Sequence, residues 1–355
     1  MKAAAFLKTN VIKVLEVERP VPGPDEVLVK VAYCGICATD YDNFRGYTSF
    51  AKNGELEYPL RFGHEWSGAI VEKGSAVSGL SIGDHVIGDG KVTCGKCRNC
   101  RSGRWYDCED LRAVGTVKHH WPGAMAEYIC MPARNVFRIE KHVSLREAAM
   151  CEPFIIALNG LRECPLAGKT VLVIGSGPIG LGGVIAARVS GAGRIICAAR
   201  RRSKLDRALA LGATDVINTT EGSLYDQILK VNGGRKVDFC LETSGCAEYV
   251  EHVADIVANM GTMSMVGFYD RPIRELDVDR IVFGKITLRG SSGSREYTPI
   301  AACLLSEGKV DLMPLLSGVI DFSEVEGAMD LYAQSAGDRI KILVRIGGDA
   351  VDESP

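Results

Sequence analysis

The chain lacks most of what marks a secreted, membrane-bound or nucleic-acid-coating protein. Met1 to Pro20 is interrupted by Lys2, Lys8 and Lys13 and has no unbroken apolar core ahead of a small-residue cleavage site, so it does not read as a secretory leader. The longest uncharged apolar stretch, Val171–Ala187, has 17 residues and contains five glycines and a proline. A bilayer span needs about 20, so no membrane segment is expected. An excess of one charge sign is missing too: 42 Lys plus Arg face 44 Asp plus Glu, a formal balance of −2 over 355 residues. That balance excludes a generally basic nucleic-acid coat or a polybasic membrane binder. Histidine is scarce, and five of the six (His85, His119, His120, His142 and His252) have no metal-like spacing to partners.

Glycine and cysteine are plentiful, at 40 and 13. An odd cysteine count without a leader points to the reducing cytoplasm, where close spacings mean metal more often than disulfide. The length suggests about two domains. Apolar residues alternate through Val11–Leu15, Val27–Val31, Gly68–Gly74 and Gly83–Gly88, with turn formers such as Pro22-Gly23-Pro24 between them. The first 150 or so positions therefore read as largely β. A helical texture begins near Glu147. From Lys169 to about Gly290 the apolar runs VLVIG, RIICAA, VDFCLE and TMSMVGF alternate with the helix-like segments RSKLDRALAL and AEYVEHVADIVANM. That alternation is the mark of a parallel α/β sheet, and the tail from about Ser291 is expected to return to the first domain.

Cys94, Cys97, Cys100 and Cys108 form C-x2-C-x2-C-x7-C in a Lys/Arg/Asn/Gly-rich loop. Four thiolates at that density suit a closed tetrahedral zinc with no position left for substrate. An iron–sulfur cluster and a nucleic-acid knuckle are the alternatives, although the neutral chain offers no basic surface to match Lys96, Arg98, Arg101 and Arg104. A second set is Cys37 in Cys34-Gly-Ile-Cys37-Ala-Thr39-Asp40, with His64 and Glu65 in Gly63-His64-Glu65-Trp66. One thiolate, one imidazole and one carboxylate leave a metal with an open position, as a catalytic zinc requires. Val171-Leu-Val-Ile-Gly175-Ser-Gly177-Pro178-Ile179-Gly180 is G-x-G-x-x-G between an apolar run and a helix-like stretch, the setting of a dinucleotide-binding turn. An acidic residue holding the ribose 2′-hydroxyl of NAD is expected about 20 positions on. Ala199 stands there, followed by Arg200, Arg201 and Arg202. Without the carboxylate a 2′-phosphate is not repelled, and guanidinium groups grip phosphate, so NADP is expected over NAD, with Arg200 and Arg201 as contacts.

Taken in order, Cys-x-Thr-Asp, Gly-His-Glu, the four-cysteine lobe and the glycine fingerprint resemble the zinc-dependent medium-chain dehydrogenase/reductase family over essentially the whole chain. The closest patterns are those of the sorbitol/polyol and threonine 3-dehydrogenases. The resemblance implies an α/β protein: a GroES-like, mostly-β catalytic domain (1–155 and 291–355) and a Rossmann doubly wound parallel-sheet domain (156–290). It implies two zinc ions per subunit. Cys37 and His64 would hold the catalytic one, with Glu65 as ligand or close neighbour, and the four cysteines would hold the structural one. Alcohol dehydrogenases of the family place a further cysteine before the nucleotide domain. Here Met150-Cys151-Glu152-Pro153 resembles the Glu-Pro of polyol dehydrogenases, which favours Glu152 over Cys151. Thr39 matches a proton-relay position, while Asp42 stands where a histidine is common. The implied reaction is hydride transfer between NADP(H) and a secondary alcohol or ketone, foremost a polyol or sugar derivative. A threonine-type 3-dehydrogenase and a polyol-phosphate dehydrogenase are the alternatives within the class, and a zinc-stabilised nucleotide-binding regulator without turnover is the one outside it. A homodimer or homotetramer acting in the cytoplasm on a small-molecule substrate, with no nucleic-acid or membrane partner, completes the expectation. Glu242–Gly245 and Val266–Phe268 are expected at the cofactor edge, and Arg45, Tyr47 and Arg295 are weaker candidates for the substrate cleft.

Overall fold

Strand Glu26–Ile36 is apolar at nearly every position and buried on both faces, so it lies inside a sheet and not at an edge. The computed structural model describes residues 1–117, 121–162, 164–293 and 295–347. His119 and His120 lie outside the described residues. The seven-stranded sheet runs Val136–Ile139, His85–Gly88, Glu65–Lys73, Glu26–Ile36, Lys341–Arg345, Leu316–Asp321, and Tyr128–Pro132 also pairs with Glu26–Ile36. All its pairings are antiparallel except that between Leu316–Asp321 and Lys341–Arg345. The register sets Gly35 opposite Glu65 on one side and Leu343 on the other, so three distant segments meet at the end of one strand. A smaller sheet of Val11–Glu16, Lys2–Lys8 and Leu60–Arg61 lies alongside it in sequence. The core includes fully buried Trp66, with Phe6 stacked on Phe62 at 4.2 Å between ring centroids.

The second sheet has six parallel strands in the order Asp215–Asn218, Arg194–Ala199, Thr170–Ile174, Val237–Glu242, Val257–Met265, Thr287–Gly290. The first strand in sequence, Thr170–Ile174, is central, and the order reverses beside it. Ligands of doubly wound sheets bind at that switch point. Helices Pro178–Val189 and Arg202–Leu211 follow the first two strands in sequence, as their glycine-rich and amphipathic patterns require.

The chain divides into two units, Met1–Glu152 with Arg295–Pro355, and Pro153–Ser294. The first division falls inside helix Cys151–Gly160, which leaves Glu152 with the first unit. One expected helix is cut short. Ala247–Glu251 and Val253–Ile256 are helical, but Val257 already belongs to a strand, paired with Val237. Met260, at φ 64°, cannot continue a right-handed helix. A short apolar run carries no period long enough to reveal that change.

Candidate metal centres and cofactor cleft

The four-cysteine loop is shaped by its backbone. Gly95 and Gly103 take left-handed conformations at φ 73° and 76°, and Cys97 caps the short helix Arg98–Arg101. The donor atoms of Cys94, Cys97, Cys100 and Cys108 all lie within 4.8 Å of one another. Zn–S bonds near 2.3 Å set tetrahedral S···S edges at about 3.8 Å, and Cys94 Sγ is 3.9 Å from Cys100 Sγ. Backbone N–H groups already point at the sulfurs: Cys97 N to Cys94 Sγ at 3.3 Å, Cys100 N to Cys97 Sγ at 3.4 Å, Cys94 N to Cys108 Sγ at 3.2 Å. Such donors favour thiolates, and those of Cys100 and Glu109 draw the Cys97 thiol down to about 6. Burial holds Cys108 up at about 12. The loop fits a closed thiolate-bound metal.

The second set is assembled where the paired strands Glu26–Ile36 and Glu65–Lys73 meet at one end. Cys37 directly follows strand Glu26–Ile36 and caps helix Ala38–Arg45, where Asp40 Oδ2 accepts from Cys37 N at 2.9 Å. The other oxygen of this fully buried carboxylate lies 3.7 Å from His64 Nδ1. Gly63 turns the chain at φ 91°, and a Cβ there would stand 2.7 Å from Cys34 Sγ. His64 and Glu65 follow. The thiol, an imidazole nitrogen and a carboxylate oxygen of Cys37, His64 and Glu65 come within 4.8 Å of one another. Thiolate, imidazole and carboxylate are the donor types zinc accepts, and an imidazole whose other nitrogen faces a carboxylate has the usual orientation of a metal-ligating histidine. Burial lowers the His64 pKa, but Asp40, Cys37 and Glu152 outweigh it and the imidazole stands well above its ordinary value.

Glu152 is outside that three-donor group. Its carboxyl, pushed up to about 7 by burial, is drawn back by His64 and Lys341 and raised further by Glu65 and Asp89. The neighbouring Cys151 thiol is fully buried and raised by that burial. Thr39 occupies the first turn of helix Ala38–Arg45, partly exposed, and Asp42 follows one turn on, its carboxyl raised by burial. Arg45 lies 5.8 Å from the Tyr47 ring. Arg295 is set 5.2 Å over Trp105 of the four-cysteine lobe and donates to Arg134 O at 2.7 Å.

The fingerprint turn lines a cleft of about 480 Å³ in the nucleotide unit. Gly175, at φ 106°, and Gly180 are both needed: a Cβ on the first would meet Thr243 Oγ1 at 2.5 Å and on the second Gly175 O at 2.1 Å. Gly177 has open space at its Cβ position and caps helix Pro178–Val189, so its backbone is accessible to a phosphate. Pro178 at the first helical position sacrifices no hydrogen bond, and Ile179 completes the opening turn. Ala199, Arg200 and Arg201 line the cleft where the second strand ends, joined by Lys204. Arg202 turns to Asp206 at 2.9 Å instead. Thr243–Cys246 also line the cleft. They are fixed by the buried Glu242, which accepts from Ser244 N at 2.7 Å and Tyr269 Oη at 2.8 Å. Phe268, expected at this edge, is exposed and is not among the lining residues.

Residues 23–141 match the alcohol dehydrogenase GroES-like domain and residues 178–307 the zinc-binding dehydrogenase family. The L-threonine 3-dehydrogenase of Streptomyces avermitilis is 34% identical over 332 residues, 92% of this chain and 94% of that one. The chain belongs to the zinc-binding medium-chain dehydrogenases. Among solved structures of such dehydrogenases, a protein from Sinorhizobium meliloti 1021 described as a zinc-binding dehydrogenase bound to NADP is 32% identical, with a TM-score of 0.88 over 97% of this chain and 98% of that one. Galactitol-1-phosphate dehydrogenase from Escherichia coli is 28% identical, with a TM-score of 0.87 over 97% and 100%.

Three residues of this dehydrogenase went unseen in its sequence. Asp40 was inside the Cys-x-Thr-Asp motif, and its signal was the helix-capping position three residues after Cys37. Lys204 was one helical turn beyond Arg200 and Arg201. Lys341 had no local signal: it opens strand Lys341–Arg345 and reaches Glu65 only through the sheet, with Nζ 2.7 and 2.5 Å from the two carboxylate oxygens.

Proposed function

We propose that the protein is a zinc-dependent, NADP-linked oxidoreductase that interconverts a secondary alcohol and a ketone. The observation that carries this reading is the convergence of Cys37, His64 and Glu65 within 4.8 Å, backed by the buried Asp40. A zinc ion held there supplies Lewis acidity that makes a substrate hydroxyl more acidic. Cys37 and His64 would bind it, with Glu152 as the further carboxylate, and the four-cysteine lobe would hold a second, structural ion. Asp40 orients the His64 ring by facing Nδ1. Thr39 Oγ1 takes the hydroxyl proton and passes it outward, and Asp42, on the same helical face, is placed to receive it. Gly175, Gly177 and the start of helix Pro178–Val189 seat the cofactor pyrophosphate, while Arg200, Arg201 and Lys204 receive the 2′-phosphate.

The substrate class we favour is a polyol or sugar derivative with a further polar group beside the reacting carbon, in keeping with the galactitol-1-phosphate dehydrogenase likeness. A β-hydroxy amino acid is the second reading, favoured by the threonine dehydrogenase relative. A spectrophotometric screen of NADP reduction with polyols, sugar phosphates, simple alcohols and threonine tests both. A regulator without turnover would reduce no cofactor with any of them, whereas the enzyme loses its turnover when a chelator strips the metal.

The partner we assign is a second copy of the chain, as a dimer or dimer of dimers. Strand Thr287–Gly290 ends the parallel sheet, and Met260, Val282 and Phe283 are 78%, 64% and 85% exposed. No helix among the described residues is long and apolar enough to cross a membrane. Ligand sets built on thiolates suit a reducing compartment, and we place the protein in the cytoplasm.

A further inference from the structure

Lysine is almost never buried without a partner, and Lys341 is 3% exposed. Its three ammonium donors are all spent: on Glu65 Oε1 at 2.7 Å, Glu65 Oε2 at 2.5 Å and Ile36 O at 3.1 Å. Glu65, 1% exposed, thus gives both carboxylate oxygens to one cation. Its position is fixed from the other side as well. Gly35 lies opposite Glu65 in the sheet, and a Cβ there would stand 2.2 Å from Glu65 Oε2, so only glycine leaves room for the carboxylate. Because Glu65 shares a 4.8 Å group with the Cys37 and His64 donors, its contact with Nζ sets the ammonium at the edge of the donor set.

A carboxylate oxygen of Glu65 lies within 4.8 Å of the Cys37 and His64 donor atoms while both its oxygens accept from Lys341. Moving it onto an ion would leave a buried ammonium without its counter-charge. We propose that Lys341 is a positioning residue that holds Glu65 as an outer counter-charge and keeps it from closing the metal's coordination sphere, so that the ion stays exchangeable and a position stays open to substrate. This inference rests on the metal site described under the proposed function. The latch comes from the far end of the sequence, on a strand that otherwise serves the sheet.

The test is a double-mutant cycle on the zinc-loaded enzyme, read by metal content and by the rate at which zinc passes to a chromogenic chelator. The slower-exchanging four-cysteine site serves as an internal reference. Lys341→Met frees Glu65, and release of the Cys37/His64 zinc is expected to slow by about 10-fold, the scale of outer-shell effects on metal sites. Lys341→Met combined with Glu65→Gln removes the carboxylate that would close the site, and release returns to the wild-type rate. Lys341→Arg keeps the latch and the wild-type rate. Release from Lys341→Met at or above the wild-type rate overturns the proposal. So does a double variant that stays slow, since the effect would then not pass through Glu65. If Lys341→Met does not fold, Glu65→Gln alone decides: two zinc ions and near wild-type release support an outer role, and a release about 10-fold faster makes Glu65 a ligand and overturns it. Two zinc ions in Cys37→Ser would instead refute the metal reading beneath the proposal.

Discussion

The proposed preference for NADP rests on one end of one cleft, and removing its charges gives a quantitative test. Ala199 closes the second strand of the nucleotide sheet where a ribose-binding acid would stand, and Arg200 and Arg201 line the cleft directly after it. In Arg200→Ala/Arg201→Ala the 2′-phosphate of NADP loses two charge-assisted contacts. Such contacts contribute about 1.5–3 kcal/mol each, and both arginines are exposed, so the lower end of the range applies. The total of about 3 kcal/mol corresponds to about 100-fold in kcat/KM for NADP. NAD has no 2′-phosphate, and its kcat/KM should move by less than about 3-fold. The assay is steady-state cofactor reduction with each nucleotide at a fixed substrate concentration, repeated at two ionic strengths. Because the contacts are exposed, the NADP advantage of the wild type should shrink as salt rises. Ala199→Asp should move preference towards NAD by restoring a partner for the 2′-hydroxyl and repelling the phosphate. A wild type that prefers NAD, or a double variant that lowers both nucleotides equally, would show that these arginines are only a solvated turn.

Other consequences are equally open to measurement. Cys37→Ser and His64→Ala should each abolish turnover while circular dichroism stays native, and activity surviving in both would sink the proposed mechanism. Cys97→Ser should leave one zinc of two and lower Tm by more than about 5 °C, followed by metal analysis and calorimetry. Gly180→Ala sets a methyl group 2.1 Å from Gly175 O, an overpacking of about 1–3 kcal/mol; fluorescence titration should find NADP binding weakened or lost. The Glu251 carboxyl is held down to about 2, from an ordinary 4.5, by its hydrogen bonds from Arg271. A lowered carboxylate adds stability above its unfolded value, and that contribution disappears as pH falls through 4.5 towards 2. The Tm gap between wild type and Arg271→Gln should therefore be present at neutral pH and shrink in that window.

Much of this molecule can be read before folding it. The fingerprint needed only spacing and an apolar run, and the positions of Thr243 and Gly175 explain why two of its glycines cannot carry a side chain. The four-cysteine lobe was equally plain, because every ligand lies in one loop. Legibility fails where a contact depends on register. Nothing near Lys341 announces that it opposes Glu65, since that pairing exists only after strand Lys341–Arg345 docks on Glu26–Ile36. The rank of Glu65 and Glu152 was obscure for the same reason, as one lies on a strand and the other on a helix. The end of the helix at Ile256 was hidden by apolar residues that serve a helix and a strand alike.

The pairing of Ile342 with Ile36 also sets an order of events during synthesis. The first unit is discontinuous, and its sheet waits for a strand that leaves the ribosome only after the whole nucleotide unit has been made. Until then the Tyr33–Ile36 end of strand Glu26–Ile36 lacks one of its two neighbours, the Glu26–Lys30 end being covered by Tyr128–Pro132, and Glu65 has no buried cation beside it. An early fold of Pro153–Ser294 would shorten the effective loop that must close and so speed completion of the first unit. A chain stopped before Lys341 would thus have the proposed metal ligands Cys37, His64 and Glu152 and still lack the cation paired with Glu65 beside them, which makes the last stretch of translation the step at which the surroundings of the metal site become complete.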